Sequence, residues 1–170
     1  MLTSEFCVLT SPLRKPHEQQ THPNALHYPM VKAKLEDVAV SSEGDAFLVL
    51  LSTDKGAIVP IAIGGLEAMS IAAGRDKEKF PRPLTHDLML SVFDILNVSV
   101  KRIEITDLTD NTFYARLVIE NRGIEFEIDA RPSDALALAV RTDAELLIAE
   151  SVIEKSGVTG ADMKPRGFEA

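Results

Sequence analysis

The stretch "GIEFEIDARPSDALALAVR", Gly123–Arg141, decides the fold because its hydrophobic period changes in the middle. Up to Ala130, apolar and acidic residues alternate, so Ile124, Phe126 and Ile128 share one face of a strand and three carboxylates share the other. Beyond it, Ala, Leu and Val follow one another as in a helix, with Ser133 as the predicted N-cap. The stretch predicts a strand that leads directly into a helix.

The same pattern occurs earlier in the chain, in "GAIVPIAIGGLEAMSIAAGR". A shift of 67 residues aligns the two stretches without a gap. The identical pairs are Gly56 and Gly123, Ile61 and Ile128, Ala68 and Ala135, Ala72 and Ala139, and Asp76 and Asp143. Each stretch follows two further strand patterns, so the sequence predicts an internal duplication of a βββα unit.

The short elements and hairpin-like strands predict the α+β class: a single compact domain with largely antiparallel sheets and packed helices. We expect residues 1–29 to be a flexible extension, 30–155 the domain and 156–170 a loose tail. Thr85 is the predicted N-cap of a helix between the two units, and the buried stripe of that helix is predicted to be Leu88, Val92, Ile95 and Leu96. "DLTDNTFY" predicts a hairpin with Asp110 and Asn111 at its tip.

Composition excludes several classes of protein. The longest apolar runs fall well short of a bilayer span and the first residues do not resemble a secretory signal, so we expect a cytoplasmic protein with no membrane partner. The single cysteine excludes a disulfide framework within one chain. The formal charge of −8 means that binding to nucleic acid would depend on local basic residues or cations.

Comparison of the two units separates residues that both units use to form the helix from polar residues that are present only in the second unit, here called additions. Asp134 matches Glu67, so both units keep a carboxylate in the first helical turn, where it offsets the helix dipole. Asp129, Arg131, Ser133 and Arg141 match Ala62, Gly64, Leu66 and Gly74. These additions are candidates for function, although an ion pair of Arg131 with Asp129 or Asp134 would also be a purely structural explanation.

A second polar cluster lies in "RPLTHDL". His86 is near a helix amino terminus, which disfavours its charged form and leaves it available as a base or ligand, or simply exposed. Arg82 has the guanidinium geometry that clamps phosphate. On the strand in "GIEFEIDA", Glu125 and Glu127 suit either a solvated outer face or a platform for a divalent cation.

"FPRPLTHDL", "DNTFYARL" and "IDARPSDALALAVR", in this order and spacing, resemble the bifunctional nuclease domain family, the domain of unknown function 151 group. The resemblance covers residues 31–155. It implies a compact, often oligomeric α+β domain that in some members degrades both RNA and DNA. The motif positions that it carries over are Arg82, Thr85, His86, Asp87, Asp110, Asn111, Asp129, Arg131, Ser133 and Asp134.

These observations lead to one hypothesis with two alternatives. The hypothesis is a nuclease of low sequence specificity, active as a homo-oligomer such as a dimer, with Mg²⁺ or Mn²⁺ as cofactor. Its predicted residues are His86, Asp129, Arg131 and Ser133 for catalysis; Arg82, Thr85, Asn111 and Arg141 for substrate; and Asp129, Asp134 and Asp87 for metal. In this hypothesis His86 activates water, and Arg82 and Arg131 stabilise the transition state. The alternatives are a non-catalytic ligand- or protein-binding regulatory module and a structural oligomerisation domain.

Overall fold

The structure is a computed structural model that describes residues 29–41, 44 and 46–159. Apart from Pro29, the predicted amino-terminal extension lies outside the described residues, as does most of the predicted carboxy-terminal tail. Within the described part of the chain, no helix has the length and apolar character needed to cross a bilayer.

The described residues form one mixed sheet with four helices, which confirms the α+β class. The strands are β1 (Met30–Val40), β2 (Phe47–Thr53), β3 (Ala57–Ile63), β4 (Val98–Thr109), β5 (Thr112–Asn121), β6 (Ile124–Ala130), β7 (Glu145–Ala149) and β8 (Val158–Thr159). The helices are α1 (Gly65–Arg75), α2 (Thr85–Ile95), α3 (Pro132–Ala139) and α4 (Glu150–Ser156). The strand order is β6-β5-β4-β7-β1-β2-β3-β8, so β6 lies at one edge.

Both halves of the sheet have the order βββα. β1, β2 and β3 form an antiparallel meander before α1, and β4, β5 and β6 form another before α3. β7 joins the halves, antiparallel to β1 and parallel to β4. Origin of the halves by duplication stays a prediction.

Turn chemistry sets the register of the second meander. Asp110 and Asn111 form the two-residue turn between β4 and β5, with φ of 49° and 59°, which confirms the predicted hairpin. Arg122 and Gly123 repeat this left-handed pair between β5 and β6. β8 was not foreseen, and its two residues pair with β3 inside the segment predicted as a loose tail.

One hydrophobic core joins the two halves. Leu51 comes from the first meander, Ile103 from the second, and Ile71 and Leu136 come from α1 and α3; all four are fully buried. Burial of a side chain of this size stabilises the fold by roughly 1.5–3 kcal/mol. Since α1 also packs on α3, the amino-terminal turns of these two helices are held side by side.

The predicted buried stripe of α2 is wrong. Leu88, Val92, Ile95 and Leu96 are all exposed, Ile95 by 79%. Leu90 is instead partly buried against the core. The hydrophobic period of the sequence identified an apolar stripe on α2. Periodicity does not show what covers such a stripe, and no other described residue of this chain buries it.

Candidate active site

A cleft of about 990 Å³ lies between α1, α2, the start of α3 and the end of β6. Much of its wall is apolar, with side chains that include Leu66, Met69, Met89, Phe93, Ile128 and Leu138. Its polar wall residues are Glu67, Ser70, Thr85, His86, Asp129, Arg131 and Asp134. The cleft therefore gathers polar residues from both halves and from the helix between them.

His86 lies in the first turn of α2, and its side chain is only 14% exposed. Its Nδ1 is 2.9 Å from the Ser70 hydroxyl oxygen, and its Nε2 is 3.7 Å from Asp134 Oδ1. Burial, followed by the charge of Arg141, lowers the pKa of His86 below its ordinary value, against the opposing effect of Asp134. The imidazole is therefore neutral near pH 7, as a proton acceptor must be.

Arg131 bridges the amino-terminal carboxylates of α1 and α3. Its Nε and Nη2 donate to Asp134 at 2.7 and 2.9 Å, and its Nη1 donates to Glu67 at 3.1 Å. The hydrogen bonds that Arg131 donates to Asp134 come first among the causes that raise the pKa of Arg131. Because the side chain is 65% exposed, two remaining N–H groups of the guanidinium can reach a ligand.

Asp129 lines the cleft at the end of β6. Among the described residues its exposed carboxylate makes no hydrogen bond or ion pair, so it is not buried against Arg131. His86, Asp129 and Arg131, three residues predicted to be catalytic, therefore line one cleft.

Arg141 and Asp87 lie behind the cleft wall. Arg141 Nε donates to Asp87 Oδ1 at 2.6 Å, and its Nη1 donates to the carbonyl oxygens of Ser70 and Ala137 at 2.9 and 2.8 Å. Burial acts to raise the pKa of Asp87, but hydrogen bonds from Arg141 and from the Leu84 N–H outweigh it, and the net shift is downward. With only 8% of its side chain exposed, Arg141 holds three helices together, a structural role in place of the predicted contact with substrate.

The remaining predicted residues differ in position. Thr85 lines the cleft, whereas Arg82 and Asn111 are exposed and do not line it. Ser133 is 7% exposed and does not line the cleft either. Of these four, only Thr85 is placed to touch a molecule in the cleft.

Both predicted N-caps are wrong by a short distance along the chain. The N-cap of α2 is Leu84, whose N–H donates to Asp87 Oδ2 at 2.9 Å, and Thr85 is the first helical residue. The N-cap of α3 is Arg131, with Pro132 at the first helical position. Since proline fixes φ at a helical value and lacks the N–H that would be unsatisfied there, the helix begins before Ser133.

The outer carboxylates of β6 are paired with arginines. Arg102 donates to Glu125 and Arg116 donates to Glu127, each at 2.7 Å. These contacts favour the solvated outer face over the cation platform. Among the described residues, no three His, Cys, Asp or Glu side chains form a group that could hold a metal ion.

Two polar residues of the cleft were missed in the sequence. Ser70 contacts His86, and Glu67 contacts Arg131. Both lie on α1 three residues apart, which places them on the same helix face. Glu67 was noted only as the counterpart of Asp134, and a lone serine in an apolar helix gave no signal of its own.

A family model described as the bifunctional nuclease domain matches residues 48–160. An uncharacterised protein of Mycobacterium tuberculosis strain H37Rv is 36% identical over 111 residues, which cover 65% of this chain and 66% of that protein.

Plant proteins are similar at lower identity. Bifunctional nuclease 1 of Oryza sativa subsp. japonica is 21% identical over 121 residues, or 69% of this chain and 37% of that protein. Bifunctional nuclease 1 of Arabidopsis thaliana is 21% identical over 116 residues, or 66% of this chain and 36% of that protein. The chain thus matches little more than a third of the length of these plant relatives.

Proposed function

Because the chain belongs to the bifunctional nuclease domain family, we propose that it hydrolyses phosphodiester bonds of RNA and DNA with low sequence specificity. The observation that carries the proposal is the cleft that joins a neutral histidine, an exposed arginine and a carboxylate that has no partner among the described residues. The histidine can accept a proton, the arginine can donate hydrogen bonds to phosphate oxygens, and the carboxylate can bind a cation or a water molecule.

Each polar group of the cleft has a proposed role. His86 accepts the proton of the attacking nucleophile and returns it to the leaving oxygen. Arg131 donates its two remaining N–H groups to the phosphoryl oxygens as negative charge develops on them. Thr85, exposed on the cleft wall, contacts the substrate.

Among the described residues, Asp129 is a carboxylate of the cleft that makes no hydrogen bond or ion pair. The oxygens of Asp134 and Asp87 already accept hydrogen bonds from Arg131, Arg141 and the Leu84 N–H. Asp129 is therefore the ligand that we propose for Mg²⁺ or Mn²⁺, with water and phosphate oxygens in the remaining positions. When bound, the ion would neutralise charge on the phosphate.

The charge of the chain sets the expected conditions of binding. With a formal charge of −8, the protein repels nucleic acid at long range. We expect few basic residues to contact the phosphates of a bound nucleic acid. The affinity for nucleic acid should therefore be modest and should decrease as salt is added.

The test is a cleavage assay on labelled single-stranded RNA and DNA, with Mg²⁺, with Mn²⁺ and with a chelator. We expect His86→Ala to lower kcat by a factor on the order of 10²–10⁴. Arg131→Ala is expected to lower it as well, whereas Arg116→Ala, a matched change at an arginine outside the cleft, should keep full activity. Wild-type protein that cleaves neither polymer under any of these conditions would overturn the proposal.

A binding module is the second candidate, and a specific observation favours it. Arg131 is held in place by two carboxylates, Glu67 and Asp134, and keeps two N–H groups that can bind a phosphorylated ligand. This module would bind nucleotides with an affinity that Arg131→Ala weakens, and it would release them uncleaved. Product analysis after prolonged incubation separates the two candidates.

We also propose that the chain forms a homodimer through the exposed face of α2. Leu88, Val92 and Ile95 are between 44% and 79% exposed, and their spacing places them on one face of α2. Apolar patches of this kind on a soluble domain mark interfaces. The proposed occupant is a second α2, because a two-fold contact brings the same apolar face of both chains together.

Light scattering after size-exclusion chromatography tests the dimer. Wild type is expected at twice the chain mass, and Leu88→Glu with Ile95→Glu at one chain mass. The control is Leu66→Glu, another exposed leucine, which lies on α1 and should leave the mass unchanged. A monomeric wild type at micromolar concentration would contradict the dimer.

A further inference from the structure

Ser70 is the residue of the cleft in closest contact with His86. It lies near the middle of α1, is 7% exposed and lines the cleft. Its hydroxyl oxygen is 2.9 Å from His86 Nδ1, a normal hydrogen-bond distance. Ser133, the serine predicted from the sequence, is equally buried but neither lines the cleft nor contacts a histidine within the described residues.

The surroundings of His86 determine which ring nitrogen carries the proton. Nε2 faces Asp134 Oδ1 at 3.7 Å, and a carboxylate only accepts hydrogen bonds, so a proton on Nε2 is favoured. The Ser70 hydroxyl makes no second hydrogen bond with the described residues, so its hydrogen is satisfied only by donation to Nδ1. Both contacts therefore give the same tautomer, in which Nδ1 accepts the Ser70 hydroxyl hydrogen.

This tautomer changes what His86 does as a base. Its accepting nitrogen already faces Ser70, and the other nitrogen faces a carboxylate that stabilises an imidazolium once it forms. A serine, a histidine and an acidic residue in line form the arrangement that activates a hydroxyl nucleophile. The 3.7 Å gap to Asp134 exceeds a hydrogen bond, as is common in catalytic sites before substrate binds.

We propose that Ser70 is the nucleophile of this cleft, with His86 as its base and Asp134 as the residue that orients His86. The inference rests on the proposed function for its phosphodiester substrate. The Ser70 oxygen bonds to phosphorus while its proton passes to His86 Nδ1, and the bond from phosphorus to one ester oxygen breaks. The leaving oxygen takes the proton from His86.

The second half of the reaction restores the enzyme. Water gives a proton to His86 and attacks phosphorus, the bond between phosphorus and the Ser70 oxygen breaks, and Ser70 regains its proton. Arg131, which contacts Asp134, is placed beside the phosphoryl oxygens in both steps. Atoms and charge balance without any further reactant.

A reactive fluorophosphate, diisopropyl fluorophosphate, tests the proposal directly on the full chain. It phosphorylates an activated serine with loss of fluoride, so intact mass should rise by one diisopropylphosphoryl group, and peptide mapping should place that group on Ser70. Ser70→Ala and His86→Ala should abolish labelling. Ser91→Ala, which removes an exposed hydroxyl on α2 that donates to the Asp87 carbonyl, should label like wild type.

Turnover supplies the second measurement. Ser70→Ala should lower kcat for oligonucleotide cleavage by at least about 10²-fold, with an unchanged far-ultraviolet circular dichroism spectrum. Absence of an adduct on wild-type Ser70, or wild-type turnover by Ser70→Ala, would overturn the proposal. A labelled Ser70 in a protein that cleaves no nucleic acid would overturn the nuclease function alone, whereas cleavage that survives in Ser70→Ala would overturn only the nucleophile.

Discussion

The two halves of the sheet share an order of elements but differ where the third strand of each leads into its helix, and within that helix. The differing residues, 67 positions apart, are Ala62, Gly64 and Gly74 in the first half and Asp129, Arg131 and Arg141 in the second. Two of these residues, Arg131 and Arg141, reach the first half: Arg131 donates to Glu67, and Arg141 donates to the Ser70 carbonyl. The cleft thus depends on asymmetry between two similar frameworks.

Glu67 and Asp134, which occupy matching positions in the two halves, show what the halves have in common. Glu67 and Asp134 both lie in the first turn of a helix, and both bind the single guanidinium of Arg131. One carboxylate stabilises each helix end, and the added arginine joins the two ends. A residue common to both halves therefore takes part in the site only through an addition to one of them.

The largest expected effect comes from Arg141→Ala. The change leaves Asp87 and the carbonyls of Ser70 and Ala137 without their donor. We expect a loss of about 2–3 kcal/mol in the free energy of unfolding, reduced by solvent because the Asp87 carboxylate is 38% exposed. Urea denaturation measures it.

The control for that change is Arg75→Ala. Arg75 pairs with Asp37 and Asp76, whose side chains are about 60% exposed, so the expected loss is below about 1 kcal/mol. Equal losses at Arg75 and Arg141 would contradict the structural role of the buried arginine.

Gly74→Ala is expected to have the next largest effect. Gly74 is the counterpart of Arg141, and a Cβ there would collide with the Arg141 guanidinium and lie 2.7 Å from Val140 Cγ2. Overpacking of this kind costs about 1–3 kcal/mol, whereas alanine normally favours a helix over glycine.

A double-mutant cycle connects the two positions. In the Arg141→Ala background the methyl group meets only Val140, so Gly74→Ala should cost no more than half of its effect in wild type. If the losses in free energy of unfolding are additive, then Gly74 is not required to make space for the Arg141 side chain.

The pH dependence of stability follows from His86, which lies between the halves. Its folded pKa is below 6.5, first because of burial and then because of Arg141, while Asp134 and Asp87 oppose the shift. Below about pH 6.5 the unfolded chain binds this proton before the folded one does, so stability falls as pH drops toward the folded pKa. The slope from one group cannot exceed about 1.4 kcal/mol per pH unit.

Urea denaturation of wild type and His86→Gln between pH 7.5 and 5 measures this contribution. Wild type should lose more stability than the variant over this range. Asp87 also has a lowered pKa, but its contribution is lost only below its ordinary value of 3.8 and does not enter the comparison. Parallel curves for the two proteins would contradict the burial of a neutral His86.

Periodicity was sufficient to predict the three strands of each meander, because alternation and turn residues act over a few positions. β3 and β6 occupy the predicted stretches "AIVPIAI" and "IEFEIDA". The insertion of β7 between the halves, parallel to β4, could not be predicted, since it depends on registers between residues far apart in the chain. The exposure of α2 was missed for a similar reason, because a stripe does not specify what covers it.

The site was predictable where a residue differs from its counterpart, and less so elsewhere. Arg131 and Asp129 stood out against Gly64 and Ala62, and both line the cleft. The same contrast also selected Arg141, although that residue is buried behind the wall. Difference between the halves indicates an added role, but only packing decides whether that role is chemical or structural.

The smallest expected effect concerns two carboxylates on the same face of β6. Glu127 is exposed and pairs with Arg116, so Glu127→Gln should change the free energy of unfolding by less than about 1 kcal/mol and leave cleavage unchanged. Asp129→Asn, an equally small change two residues along the strand, should lower cleavage because Asp129 lines the cleft with its carboxylate unpaired among the described residues. If Glu127→Gln lowers cleavage as much as Asp129→Asn does, then the whole acidic face of β6, not only its last carboxylate, contributes to the site.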